Sequence, residues 1–253
     1  MTKKGRTERV KPRLVQRLAL ALVAIWSLSM TPALADELTI GLSSEATSMD
    51  PHFHALASNA QVNWHVYDAL TRRGPNHELI PGLAVEWGAT DDPTVWEFTL
   101  RDGVTFHDGT PFTADDVAFT LERAGNVPNS PAGYGMVTRD ITEIEVVDDL
   151  TVRLHTDEPV PLLPVNLANI GIVSRAHGEG ASTADYNSGA AAIGTGPYRQ
   201  VEFTPGDRVV LEAYPDYWGG APDWDRVTFL PITRPASRIA ALLSGTVDVI
   251  NDV

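Results

Sequence analysis

Within Trp96–Gly125 the hydrophobic pattern switches from strict alternation to helical spacing, and this switch sets the fold class. Trp96, Phe98 and Leu100 fall on one side of an extended segment, with Glu97, Thr99 and Arg101 on the other, which is the pattern of a half-buried strand. Asp102-Gly103 and Asp108-Gly109 bracket Val104–His107 with tight-turn dipeptides, predicting a short hairpin or meander. Thr113, followed three residues on by Asp116, predicts a capping box. Val117, Leu121 and Ala124 then share the inward face of a helix ending near Gly125. Strand, turns and helix succeed one another here without a β-α rhythm. The class is therefore α+β with a mixed sheet, not a doubly wound parallel sheet.

The rest of the chain extends this reading. Glu37–Leu42 reads as a first strand, followed by a turn-rich stretch to Pro51. Ser58–Leu70 has helical spacing, with Val62, Val66, Ala69 and Leu70 on one face, and Gly74-Pro75-Asn76 stops it. Asn126–Gly135 reads as a loop. Glu143–Val147 and Leu150–His155 flank Asp148-Asp149 as a hairpin. Three prolines bar Glu158–Pro164 from a central strand. Gly178–Ala192 is small and polar, a linker between lobes. Pro197–Phe203, Val209–Ala213 and Val227–Leu230 are strands. Ala236–Ser244 is a helix with Ile239, Leu242 and Leu243 inward, and Thr246–Ile250 is a last strand.

Charge is distributed unevenly. The chain has 19 Lys and Arg against 33 Asp and Glu, yet residues 1–35 hold seven of the basic residues and one acid. The basic stretch Lys3–Arg17, the apolar run Leu18–Leu28 and the triplet Ala33-Leu34-Ala35 follow the order of a secretory signal peptide. The apolar run is too short to span a bilayer, which takes about 20 apolar residues. Cleavage is expected after Ala35, leaving an exported, soluble chain that starts at Asp36, most simply in a Gram-negative periplasm. That chain carries a net charge of −20, which repels phosphate backbones and excludes nucleic acid as a partner. Cysteine is absent, so disulfides, thiol catalysis and Cys-ligated zinc are excluded.

No group of residues assembles a nucleophile, a base and an oxyanion hole. His52-Phe53-His54, with His65 downstream, has a workable ligand spacing, but no acid stands at metal-site spacing beside it. Hydrogen-bonded or surface histidines are the simpler reading, so neither a metal nor a cofactor is assigned. Asp91-Asp92, Asp115-Asp116 and Asp148-Asp149 stand where turns and helix starts want Asp. Gly189–Thr195 has the glycine spacing of a phosphate loop but no Lys. Tyr214, Tyr217, Trp218 and Trp224 lie in Gly/Pro-rich sequence, where aromatics plug loops onto the body, and Trp96 reads as core.

Read in order, several stretches resemble the extracytoplasmic solute-binding proteins of ABC transporters, in the peptide/nickel (dipeptide/oligopeptide-binding) family. They are Met49-Asp50-Pro51, Val66–Leu70, Pro81–Trp87, Trp96–Val117, Gly194–Tyr198, Tyr217–Gly220 and Arg238–Val249. The resemblance runs from Glu37 to Val253. It implies a type II clamp of the large peptide-binding class, of which this chain is the N-terminal lobe. Residues 36–70 and 190–253 would be segments of lobe I, and 71–189 an inserted subdomain. The second lobe is missing, so the chain reads as the N-terminal half of a longer protein or as a truncated relative. The resemblance also implies that the protein is no enzyme. It would be a monomer that captures a small-molecule or peptide ligand, di- or oligopeptides foremost, and delivers it to the membrane subunits of an ABC permease. In the family the loop after the first strand approaches the ligand, and here that loop is Ser44, Glu45, Ala46 and Thr47, with Glu45 suited to a cationic ligand group. The alternatives are a secreted metal-dependent hydrolase using the acidic pairs and histidines, or a protein that presents ligand to a membrane sensor.

Overall fold

A computed structural model describes Met1 and residues 36–252. The stretch expected to be a signal peptide, with its expected cleavage site after Ala35, lies outside the described residues. Residues 36–253 form one compact unit. Its strands are β1 (Glu37–Leu42), β2 (Thr71–Arg73), β3 (Leu79–Pro81), β4 (Ala84–Ala89), β5 (Val95–Leu100), β6 (Ile141–Asp148), β7 (Thr151–Thr156), β8 (Tyr198–Thr204), β9 (Arg208–Ala213), β10 (Arg226–Pro231) and β11 (Val249–Ile250). Its helices are α1 (Ala57–Asn63), α2 (Ala114–Ala124), α3 (Gly135–Thr138), α4 (Leu163–Leu167), α5 (Arg175–Gly178), α6 (Thr183–Asn187) and α7 (Pro235–Leu243).

Two larger sheets result. In the order β4-β5-β7-β6 all neighbours are antiparallel. The alternation of β5 places Phe98 opposite Val152 and Trp96 opposite Leu154. Phe98, Leu100, Val152 and Leu154 are buried, and Val117, Leu121 and Ala124 of α2 belong to the same core. A fully buried side chain of this size stabilises the fold by about 1.5–3 kcal/mol relative to leaving it exposed. On the other face Arg153 holds Glu97 at 2.8 Å. Helix α2 starts with a capping box, in which the Asp116 carboxylate reaches back to the Thr113 N–H at 3.0 Å.

The second sheet has the order β11-β1-β10-β9-β8. Here β1 runs parallel to both β10 and β11, while β9 and β8 are antiparallel additions. Its core holds Leu42, Val62, Val66, Tyr67, Val209, Leu211, Val227 and Phe229. The sheet is mixed, as the α+β reading expects.

Several local expectations are corrected. The helix predicted over Ser58–Leu70 stops at Asn63. Beyond it the carbonyls of His65 and Val66 accept from the N–H groups of Tyr198 and Gly196 at 2.9 Å each, and these long-range bonds replace the helical ones. Val66, Ala69 and Leu70 are buried all the same. Gly178–Ala192 is not a bare linker, because it carries α6, whose Tyr186 is fully buried in the second core. The last strand is confined to Val249–Ile250. In α7 the inward face is not the predicted one. Leu243 is 82% exposed, Ile239 and Leu242 are each 37% exposed, and the buried side chain is Arg238.

Candidate functional site

The carboxyl ends of β1, β10 and β11 lie side by side because these three strands run parallel. In open sheets built from parallel strands, ligands bind in the crevice outside these ends. The loop Ser44–Thr47 leaves the sheet at that point. Ser44, Glu45 and Thr47 are exposed, and Ala46 is buried in the core beneath them.

The loop is pinned at both ends. At its start the Ser43 N–H donates to Asn251 Oδ1 at 2.7 Å and the Ser43 hydroxyl donates to Asp252 at 2.7 Å. At its end the Thr47 N–H donates at 2.7 Å to Oδ1 of Asn59, a buried side chain of α1. Asn187 then accepts from the Ser48 hydroxyl at 2.9 Å and the Met49 N–H at 2.8 Å. Ser44, Glu45 and Ala46 take no part in these bonds, and of the three Ser44 and Glu45 are exposed. Glu45 Oε2 lies beside Gly206 in the β8–β9 turn, 3.2 Å from where a Cβ there would sit. Arg208, nearby in the same groove, is paired with Asp207 at 2.9 Å. Glu45 therefore presents a carboxylate that a cationic ligand group could approach.

Behind the loop lies a charged cluster that sequence reasoning missed. The fully buried Asp50 accepts two hydrogen bonds from Arg123 at 2.9 and 2.7 Å, one from the Thr183 hydroxyl at 2.8 Å and one from the His52 N–H at 3.0 Å. Arg123 also stacks over the Tyr186 ring at 4.3 Å. Burial pushes the Asp50 carboxyl up, but the hydrogen bonds and charge of Arg123 outweigh it and hold the carboxyl below its ordinary range. The only sequence cue was Asp50 in the Met49-Asp50-Pro51 motif. Arg123 lies in the last turn of α2, where a cation complements the helix dipole whether or not it meets a buried acid.

His52 belongs to this cluster and not to a metal site. Its Nε2 donates to the Gly171 carbonyl at 2.8 Å and its Nδ1 accepts from Arg123 at 2.8 Å, so neither nitrogen is free to ligate. Among the described residues, no group of three or more potential ligands could hold a metal ion. The acidic pairs serve as turn and cap residues. Asp92 accepts from Thr94, Asp116 from Thr113, and Asp148 from the Leu150 N–H. Tyr217 and Trp218 plug their loop onto the body by donating to buried Asp68 at 3.3 and 2.8 Å.

His107 is held like His52. Its Nδ1 accepts from the Gly194 N–H at 3.3 Å and its Nε2 donates to the Gly196 carbonyl at 2.9 Å. Burial, reinforced by Arg123 for His52 and by Arg199 for His107, pushes both imidazoles down to about 4. The folded state thus refuses protons that the unfolded chain takes up near 6.5. Stability should be complete above that pH and fall as the pH drops toward 4, by on the order of 3 kcal/mol for each histidine. Asp68 and Asp116, pushed up chiefly by burial, act in the opposite sense and soften the loss. Urea midpoints measured between pH 7 and pH 4.5 check this, and His107→Gln should flatten the profile.

Residues 78–253 match the family model for bacterial extracellular solute-binding proteins, family 5. The chain belongs to this family. A glutathione-binding protein, GsiB of Pectobacterium atrosepticum, is 32% identical over 214 residues, covering 83% of this chain and 41% of its own. The periplasmic murein peptide-binding protein MppA of Escherichia coli is 28% identical, covering 84% of this chain and 43% of its own. Among solved structures, the ABC transporter-associated periplasmic binding protein DppA of Helicobacter pylori, in complex with the peptide STSA, superposes with a TM-score of 0.73. It is 26% identical, and the match covers 84% of this chain and 46% of that one. The chain spans less than half the length of the curated relatives it matches. Members of family 5 are solute-binding proteins, not enzymes, which favours the solute-binding reading over the hydrolase. No described helix is long and apolar enough to cross a membrane.

Proposed function

We propose that this chain is the substrate-binding component of an ABC importer, capturing di- or oligopeptides in the periplasm and delivering them to a membrane permease. It is exported by a signal peptide cleaved after Ala35 and acts as a monomer. The observation that carries the reading is the exposed, doubly anchored loop Ser44–Thr47 at the carboxyl ends of three parallel strands in a family 5 chain. Three reported relatives bind glutathione or peptides by name, which supports a peptide as the ligand. The organisation proposed is a lobe of residues 36–70 and 190–253 with 71–189 inserted. Two separate cores support a division of this kind, but Val173 and Tyr186 pack in the first lobe's core, so the chain returns to that lobe just after Ile172 and not at residue 190.

Within the loop, Ser44 and Thr47 supply polar contacts, Ala46 sets the floor and Glu45 meets the ligand's ammonium group. Calorimetric titration of the purified protein with di-, tri- and tetrapeptides should give saturable heats. Nickel chelates, opines and oligosaccharides should give none. Loss of one charge-assisted contact is worth about 1.5 kcal/mol, so Glu45→Gln should weaken peptides with a free amino terminus about tenfold. N-acetylated peptides should be insensitive to that change. The absence of binding by any peptide would overturn the assignment.

A further inference from the structure

Arg238 is 2% exposed, and its guanidinium is spent on backbone carbonyls at the candidate site. Nε donates to the Asn251 carbonyl at 3.1 Å. One terminal nitrogen donates to Ile232 at 2.7 Å and Thr233 at 3.3 Å, and the other donates to Asp252. These carbonyls belong to the segments that follow β10 and β11. The fork therefore ties together the carboxyl ends of two strands that are not neighbours, since β1 lies between them.

The segment it grips is also the one that seats the loop. Asn251 accepts the Ser43 N–H through Oδ1 and donates to Gln61 of α1 through Nδ2 at 3.0 Å. On the other side the Ile232 N–H donates to the Leu42 carbonyl at 2.8 Å. One buried side chain thus sets both flanks of the point where Leu42 passes into Ser43. A lysine could not replace it, because it has three donors on one atom where the guanidinium spreads five over a rigid plane.

We propose that Arg238 is a positioning residue for the ligand-facing loop, fixing where Ser44 and Glu45 stand by holding the carboxyl ends of β10 and β11 at a set spacing. The proposal rests on the reading of that loop as a ligand contact, but its test does not require a ligand.

The experiment is hydrogen exchange resolved by segment, on wild type, Arg238→Ala and Arg238→Lys, with and without millimolar guanidinium. Opening of residues 41–47 and 232–234 in Arg238→Ala should speed their exchange about tenfold or more, with β5 and β7 unmoved. Free guanidinium should refill the vacated site and restore slow exchange in the alanine variant, but not in the lysine variant. Asn251→Ala is the second variant, since it cuts the link to Ser43 while leaving the guanidinium in place. It should loosen 43–47 but not 232–234, and it decides the matter if Arg238→Ala does not fold. Unchanged exchange over 43–47 in Asn251→Ala, or uniform loosening in Arg238→Ala without recovery by guanidinium, would overturn the role. Peptide affinity measured in parallel should fall with the loosening. If no peptide binds wild type, the assignment of peptide ligands fails while the exchange pattern still decides the positioning.

Discussion

Replacing Arg123 with methionine is expected to destabilise the fold by about 3–5 kcal/mol, because it strands the buried Asp50 carboxylate without its countercharge. Asp50 has no exposed side-chain surface and Arg123 only 10%, so water cannot take over the missing partner. What remains on the carboxylate is the Thr183 hydroxyl and the His52 N–H. For a chain of this size the melting temperature should fall by about 10 °C or more. The sign of the pH dependence gives a second check. In wild type Asp50 is held down, so its contribution is present above its ordinary value of 3.8 and is lost below it. In Arg123→Met the orphaned carboxyl is pushed up instead, and the deficit against wild type should shrink as the pH is lowered and Asp50 takes a proton. Asp50→Asn should cost a similar amount by stranding Arg123. The double variant should cost clearly less than the two single losses together, since breaking a buried pair is worse than removing it. Additive losses in urea titrations would mean that the two side chains do not act as a pair.

Gly194→Ala should have a comparable effect by a different route. A Cβ at Gly194 would stand 1.9 Å from the Val66 carbonyl oxygen and 2.8 Å from its carbon. Both are backbone atoms, so no side chain can swing away to make room. Val66 and its neighbours are also fixed by the bonds from Gly196 and Tyr198, and His107 donates its N–H to the Gly194 carbonyl at 2.9 Å. Making room therefore means parting the joint between the end of α1, the loop carrying His107 and the start of β8. Overpacking typically costs about 1–3 kcal/mol, and a contact this short with backbone on both sides belongs at or above the top of that range. Gly88→Ala in β4 is the control. Nothing lies within 4 Å of its added Cβ, and its φ is not in the left-handed region, so stability should change little or rise slightly. Equal losses at Gly194 and Gly88 would show that the close approach is not what the glycine is for.

The parts of the fold legible in the sequence are those in which neighbours along the chain decide the outcome. The alternation of β5, the capping box of α2 and the hairpin turn at Asp148-Asp149 all arise within a few residues, and each stands where the pattern puts it. Helix α1 shows where this stops. The apolar spacing continues past Asn63, but the backbone leaves the helix because Gly196 and Tyr198 offer hydrogen bonds from more than a hundred residues away. In α7, apolar residues occupy most positions, so periodicity cannot choose a face, and four carbonyls gathered from two strand ends draw Arg238 inward instead of the leucines.

The candidate site divides in the same way. The pattern of residues placed Ser44–Thr47 after the first strand, and the ordered motifs pointed to the family that the comparisons support. The sequence could not show that β1 lies between β10 and β11, or that this puts three carboxyl ends beside one loop. It could not show that Asp50 meets Arg123 and Thr183, or that both nitrogens of His52 are taken. Composition, short-range pattern and turn chemistry act through adjacent residues and are written along the chain. Sheet order, buried charge pairs and the seat of the loop depend on which distant segments meet, and that was settled only when the two cores packed.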